Sequence, residues 1–176
     1  MPSKAKKTAG QRDVVDTLIA QWEREMPGMD VSALAVFGRL HRSYVRYAAL
    51  IGEIFDKHDI NMAAFDVLAA LRRSGPPFRR TAGELAGIGL VTTGGITLRL
   101  DRLEAAGLIT RERDAEDRRV VYAQLTAVGL ELIDRVVRDH FSNELRMLND
   151  LTDAERHQLA ALLGKLEYSL QAAEQH

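Results

Sequence analysis

The sequence predicts a mainly helical chain with a single small β-hairpin, arranged as a helix-turn-helix followed by a wing. Three observations predict it. Apolar residues recur at spacings of three and four along most of the 176 residues. Two capping boxes and further Asn and Thr caps mark where helices begin. Between Arg72 and Arg119, two helices joined by a glycine-bearing connection precede two β-tolerant stretches around a charged tip.

The elements follow in order. Met1 to Arg12 carries Lys4, Lys6, Lys7 and Arg12 with no apolar run after its charges, so it reads as a disordered basic arm and not a secretory signal. Val14, Val15, Leu18, Ile19 and Trp22 then define a short amphipathic helix that ends at Pro27-Gly28. Asp30 or Ser32 caps a longer helix. Its stripe of Leu34, Phe37, Leu40, Tyr44, Tyr47, Ile51, Ile54 and Phe55 predicts one continuous buried face, with His41 beside it. Asn61 caps a third helix through Phe65, Val67, Leu68 and Leu71, stopped by Gly75-Pro76-Pro77.

Thr81-Ala82-Gly83-Glu84 is a capping box that opens a short helix ending between Gly87 and Gly89. Thr92 or Thr93 caps the next, which runs through Ile96, Leu100, Leu103 and Ala106 to Gly107. Leu108 to Arg113 and Arg119 to Leu125 form the hairpin around Asp114-Ala115-Glu116-Asp117-Arg118. Thr126 caps a long helix with Leu130, Ile133, Val136, Val137, His140 and Phe141 on its apolar side. Thr152-Asp153-Ala154-Glu155, a second capping box, opens a last helix with Leu159, Leu162, Leu163, Leu166 and Leu170.

Composition narrows the function. The net charge is −1, but it is unevenly spread. From Arg72 to Arg119 every cation is an arginine: Arg72, Arg73, Arg79, Arg80, Arg99, Arg102, Arg111, Arg113, Arg118 and Arg119. These ten stand against seven acids, which leaves the segment at +3 and the rest of the chain at −4. Arginine pairs bidentately with phosphate and guanine edges and enters narrow minor grooves. Aromatic residues are 6% of the chain, too few for a stacking platform on single strands. There is no cysteine, so disulfides, thiolate metal sites and cysteine nucleophiles are excluded. His41, His58, His140, His157 and His176 are scattered without metal spacing, and no phosphate loop or nucleophile elbow occurs. No enzyme activity, cofactor, metal or membrane span is expected, and the setting expected is the cytoplasm.

The helix after Thr92 must present one face to the core and the other to its target. With Ile96, Leu100 and Leu103 as core, the outer side carries Thr93, Gly94, Gly95, Thr97 and Leu98, with Arg99 at the flank. Two glycines near a helix start cost about 1 kcal/mol each relative to alanine, which suits a helix whose backbone a DNA groove approaches. Leu98 is either a contact to a thymine methyl or an ordinary exposed leucine.

Several of these segments resemble the MarR family of bacterial transcriptional regulators. They are Phe65-Asp66-Val67-Leu68 through Arg73, Gly83-Glu84-Leu85-Ala86, Thr97-Leu98-Arg99-Leu100-Asp101-Arg102-Leu103 through Leu108, and Asp117-Arg118-Arg119 followed by Leu125-Thr126. The resemblance implies a homodimeric winged helix-turn-helix repressor on double-stranded DNA. Residues 13–58 and 127–176 would be N- and C-terminal dimerisation helices, and 59–126 the DNA-binding lobe. A recognition helix would enter the major groove through Thr92, Thr93, Gly95, Thr97, Leu98 and Arg99. Arg113, Arg118 and Arg119 of the wing would enter the minor groove of a pseudo-palindromic operator. Leu98 departs from the polar residue common there, which bears on operator sequence and not on fold.

The helix bearing Trp22 is similar to that of the urate-responsive branch. That similarity implies a ligand site framed by Trp22, Asp66, Arg99 and Arg111, with Arg111 pairing an anionic purine and Trp22 on its ring. Asp66, repelled by the anion, would shift against Arg99 and displace the recognition helix. The alternative is a DNA-binding regulator or architectural protein with no small-molecule effector.

Overall fold

Asp13 caps the first helix, accepting from the amides of Val15 and Asp16 while Asp16 accepts from the Asp13 amide. The structure, a computed structural model, describes residues 12–87, 93–114, 116–118 and 120–174. Most of the basic arm, together with Thr92 and Arg119, lies outside the described residues. The elements are α1 (Val14–Glu25), α2 (Ala33–Asp56), α3 (Met62–Arg73), β1 (Arg79–Thr81), α4 (Ala82–Gly87), α5 (Thr93–Ala105), β2 (Ile109–Arg113), β3 (Val121–Leu125), α6 (Ala127–Met147) and α7 (Asp153–Ala173). The chain divides after Leu50 into two compact units, and α2 runs through the boundary.

In the first unit α1 lies on α2. Val15 is buried over Gly38, where a Cβ would come within 3.1 Å of its methyl. Arg39 of α2 donates to both Asp13 and Asp16, at 3.1 and 2.7 Å. The Asp13 amide, reinforced by this guanidinium, holds the Asp16 carboxyl below the usual carboxylate range.

The second unit holds the main core. Ile51, Phe55, Val67, Leu68 and Leu71 of α2 and α3 are buried with Leu85, Leu100, Leu103, Ile109, Ile133 and Val136. α3 packs on α6, α5 and β3, so the hydrophobic run in the middle of α3 is the hub. The caps at Asn61, Thr81, Thr126 and Thr152 form as the sequence predicts. Each satisfies a backbone amide that the first helical turn leaves unpaired.

Two expectations need correction. The hairpin is part of a three-stranded antiparallel sheet in the order β1-β3-β2, because Arg79–Thr81 pairs with β3. Three residues are too few to show an alternating pattern, and their partner strand is far away in sequence. The long stripe of α2 is also not one buried face. Ile51, Ile54 and Phe55 are buried, while Phe37, Leu40 and Tyr44 are exposed. α7 likewise buries none of its residues, and Leu159, Leu162, Leu163 and Leu170 face outward. Periodicity marks the apolar side of a helix but does not say what covers it. Among the described residues no helix is long and apolar enough to cross a membrane.

Candidate nucleic-acid interface

The helix pair α4–α5 is positioned by local chemistry at both ends. Thr81 and Glu84 exchange hydrogen bonds at the start of α4, and Arg80 pairs with the same carboxylate. Thr81's amide and hydroxyl, with Arg80, hold Glu84 below its usual range. α5 turns Ile96, Leu100 and Leu103 inward, as the spacing predicts. Thr97 and Leu98 face solvent, Leu98 with 52% of its surface exposed, and Gly95 and Arg99 are half-buried.

Beyond α5 the chain reverses at Gly107, whose φ of 70° suits a residue without a side chain. The Gly107 carbonyl accepts from the Thr126 hydroxyl and the Leu108 carbonyl from the Thr126 amide, so the far end of the hairpin is pinned to its start. At the tip, Asp114 accepts from the amides of Glu116 and Asp117, both at 2.9 Å. These bonds depress its carboxyl below the usual range, with Arg79 adding to the effect. Arg113 and Arg118 are exposed on this wing.

The ten arginines do not form one open patch. Arg72 binds Asp134 at 2.6 Å and lies over the Phe78 ring, so it ties α3 to α6. Arg80 is held by Glu84, and Arg79 lies 4.4 Å over the Tyr122 ring. Arg111 is held by Asp101 and Glu104. The cations available to a phosphate backbone are therefore fewer than the sequence count, and among the described residues the exposed ones include Arg73 and Arg102 as well as Arg113 and Arg118 of the wing.

Of the four residues expected around a ligand, the structure brings Asp66 and Arg99 together. Burial pushes the Asp66 carboxyl above the usual carboxylate range, against the opposing pull of Arg99, Arg73 and His140. Arg99 has a buried Nη1 without a hydrogen-bond partner, and it lines a concavity of about 390 Å³ with Asp56, Asp59, Asn61, Arg102 and Leu103. Arg111 does not join this pair. It contacts Thr97, Asp101 and Glu104, and Arg99 is two residues from both Thr97 and Asp101, about 200° around the helix. Trp22 stands on α1 in the first unit, half exposed.

Residues 58–120 match the model of the MarR family. Over 156 residues the chain is 36% identical to the HTH-type transcriptional regulator PecS of Dickeya dadantii, which covers 89% of this chain and 94% of PecS. This chain belongs to the MarR family. Solved MarR-family structures agree with that fold. A mutant MarR of E. coli, solved with operator DNA, superposes with a TM-score of 0.65 at 26% identity, covering 82% of this chain and 96% of that one. Bordetella bronchiseptica BpsR, whose DNA binding is regulated by 6-hydroxynicotinic acid, gives 0.66 at 26% identity over 75% and 92% of the two chains. The chain is a MarR-family winged-helix transcriptional regulator and not an enzyme.

For this MarR-family chain, sequence reasoning missed four contributors to the site. Asp101 and Glu104 counted only among the seven acids between Arg72 and Arg119, although their spacing from Thr97 places all three on one ridge of α5. His140 read as one position of an apolar stripe. It is 7% exposed, packs against Phe55 and Phe65 at 5.7 and 4.8 Å, and faces Glu144 at 3.2 Å. Gly129 gave no signal beyond its residue type, and it is where α6 meets the Leu108 carbonyl.

Proposed function

We propose that the protein is a homodimeric repressor that binds a pseudo-palindromic operator and is released from it by a small anionic aromatic compound, with urate the first candidate. The observation that carries the DNA reading is the solvent-facing Thr97–Leu98 side of α5 standing beside a wing that exposes Arg113 and Arg118. On this reading Thr92, Thr93, Gly95, Thr97, Leu98 and Arg99 meet the major groove, and Arg113, Arg118 and Arg119 the minor groove. Homodimerisation is supported by the uncovered leucines of α7 and, separately, by the exposed Phe37, Leu40 and Tyr44 of α2. The division into dimerisation helices at 13–58 and 127–176 and a DNA lobe at 59–126 belongs to the same proposal.

Effector control is supported by one structural neighbour, BpsR, whose DNA binding 6-hydroxynicotinic acid regulates, and by the Asp66–Arg99 pair with its partner-less guanidinium nitrogen. Asp66, Arg99 and Arg111 are assigned to the effector, and Trp22 joins them on the family resemblance alone. One observation favours the effector-free reading: Arg111 already has two internal carboxylates. A gel-shift titration on the protein's own promoter region separates the readings. Urate, xanthine or salicylate should dissociate the complex, and no effect from any of them overturns effector control.

A further inference from the structure

One hydroxyl joins the end of the recognition helix to the start of α6. α5 closes in a Schellman turn around the positive φ of Gly107. In it the Leu108 amide reaches back to the Leu103 carbonyl at 3.0 Å and the Gly107 amide to the Glu104 carbonyl at 2.9 Å. The carbonyls of Gly107 and Leu108 are both taken by a single residue from the far side of the hairpin, Thr126. Its hydroxyl donates to Gly107 at 2.8 Å and its amide to Leu108 at 3.1 Å.

The same residue caps α6. Its hydroxyl oxygen accepts from the Gly129 amide at 3.0 Å, and its carbonyl accepts from the Leu130 amide at 2.9 Å. Every hydrogen-bonding function of Thr126 is thereby used, one donor and one acceptor on the backbone and the same on the side chain. Gly129 brings the first turn of α6 so close to the Leu108 carbonyl that no Cβ would fit between them. The foot of the hairpin closes at the same place, since Ile109 pairs with Leu125, the residue before Thr126.

Capping needs only an acceptor, and aspartate or serine supplies one at least as well as threonine. The donor half of the Thr126 hydroxyl is therefore not required by α6, and it is directed at the end of α5. The consequence is geometric. α5 has 13 residues, so it is about 20 Å long, and a pivot of about 5° at Gly107 displaces its N-terminal end by about 2 Å. That exceeds the range of about 0.5 Å over which a hydrogen bond to a base edge keeps its geometry. Burial of Ile96, Leu100 and Leu103 fixes which side of α5 faces the core, and Thr126 fixes where its end stands.

We propose that Thr126 is a positioning residue for DNA binding: its hydroxyl locks the C-terminal end of the recognition helix onto the start of α6, so that α6 sets the stance of α5 in the groove. The consequence for half-site spacing rests on the homodimer reading given above, because two recognition helices are set relative to each other through the helices that join the copies.

The test uses the full chain with Thr126→Ser, Thr126→Asp and Thr126→Ala, measuring melting temperature and operator affinity. Serine keeps donor and acceptor, aspartate keeps the acceptor alone, and alanine keeps neither. The melting temperature should follow the cap: Thr126→Ser and Thr126→Asp stay close to the wild type, because water replaces the lost donor at the exposed Gly107 carbonyl, and Thr126→Ala melts about 3 °C lower. Operator affinity should follow the donor instead. Thr126→Ser binds like the wild type, while Thr126→Asp and Thr126→Ala each bind about tenfold more weakly, and the neutral alanine shows that the aspartate charge is not the cause. A merely structural role would leave Thr126→Asp with the wild type in both measurements. Wild-type affinity in Thr126→Asp or Thr126→Ala, or a loss that Thr126→Ser fails to restore, overturns the proposal. On duplexes whose half-sites are moved apart by about one base pair, the wild type should lose more affinity than Thr126→Asp, and equal losses overturn the control of α5 by α6. A wild type that sediments as a monomer ends the homodimer reading and the spacing consequence with it, while the order of affinities on a single half-site still decides the role of the hydroxyl.

Discussion

Gly129→Ala is expected to lower the melting temperature by roughly 10 °C, corresponding to about 3 kcal/mol in a chain of this size. The reason is a contact between backbones. A Cβ built at Gly129 would stand 1.9 Å from the Leu108 carbonyl oxygen and 2.9 Å from its carbon. Neither atom can swing away as a long side chain would, because the same carbonyl accepts from the Thr126 amide and the neighbouring Gly107 carbonyl from the Thr126 hydroxyl. Relief requires the start of α6 to withdraw from the turn that joins α5 to β2. Gly83→Ala is the control, since nothing lies within 4 Å of the added methyl. Thermal unfolding followed by circular dichroism measures both. A Gly129→Ala protein that melts with the wild type would show that α6 does not close on this turn.

Leu98→Glu is expected to weaken operator binding by about 100-fold or more while leaving the melting temperature almost unmoved. Leu98 is 52% exposed on the side of α5 opposite the buried Ile96 and Leu100, so its replacement removes little packing. A carboxylate there would face the phosphates and base acceptors of a major groove, where like charges meet at short range. Fluorescence anisotropy on a labelled duplex gives the affinity, and a melting scan on the same sample gives the stability. Retained affinity would place the DNA elsewhere than on α5. Leu98→Ala, which removes only apolar contact, should cost far less and should do so mainly at sites with a thymine in the contacted position.

The parts of the molecule that were legible in the sequence are those fixed by near neighbours. A threonine and a glutamate three residues apart make the boxes at Thr81–Glu84 and Thr152–Glu155 whatever the rest of the chain does. The buried side of α5 follows in the same way from Ile96, Leu100 and Leu103. What escaped depends on distant partners. Arg72 looked like one more cation of a DNA patch because Asp134, which holds it, is 62 residues away. β1 exists only through its pairing with β3. Arg111 was read as an open anchor because nothing in its own strand shows that Asp101 and Glu104 stand opposite it. The α2 stripe was read correctly as apolar, but within the single chain only Ile51, Ile54 and Phe55 of it are buried, since spacing carries no information about which surface covers a face.

On the proposed function, α5 and the wing grip duplex DNA through a small number of exposed arginines. The salt dependence of operator binding tests this most directly, measured for the wild type and for Arg118→Ala at the exposed tip of the wing. Each lost phosphate contact should flatten the slope of log affinity against log salt by about one unit, with a matching loss of affinity. A slope about one unit shallower in Arg118→Ala is the predicted result. An identical slope and affinity in the two proteins would contradict it, because the hairpin would then stand clear of the DNA.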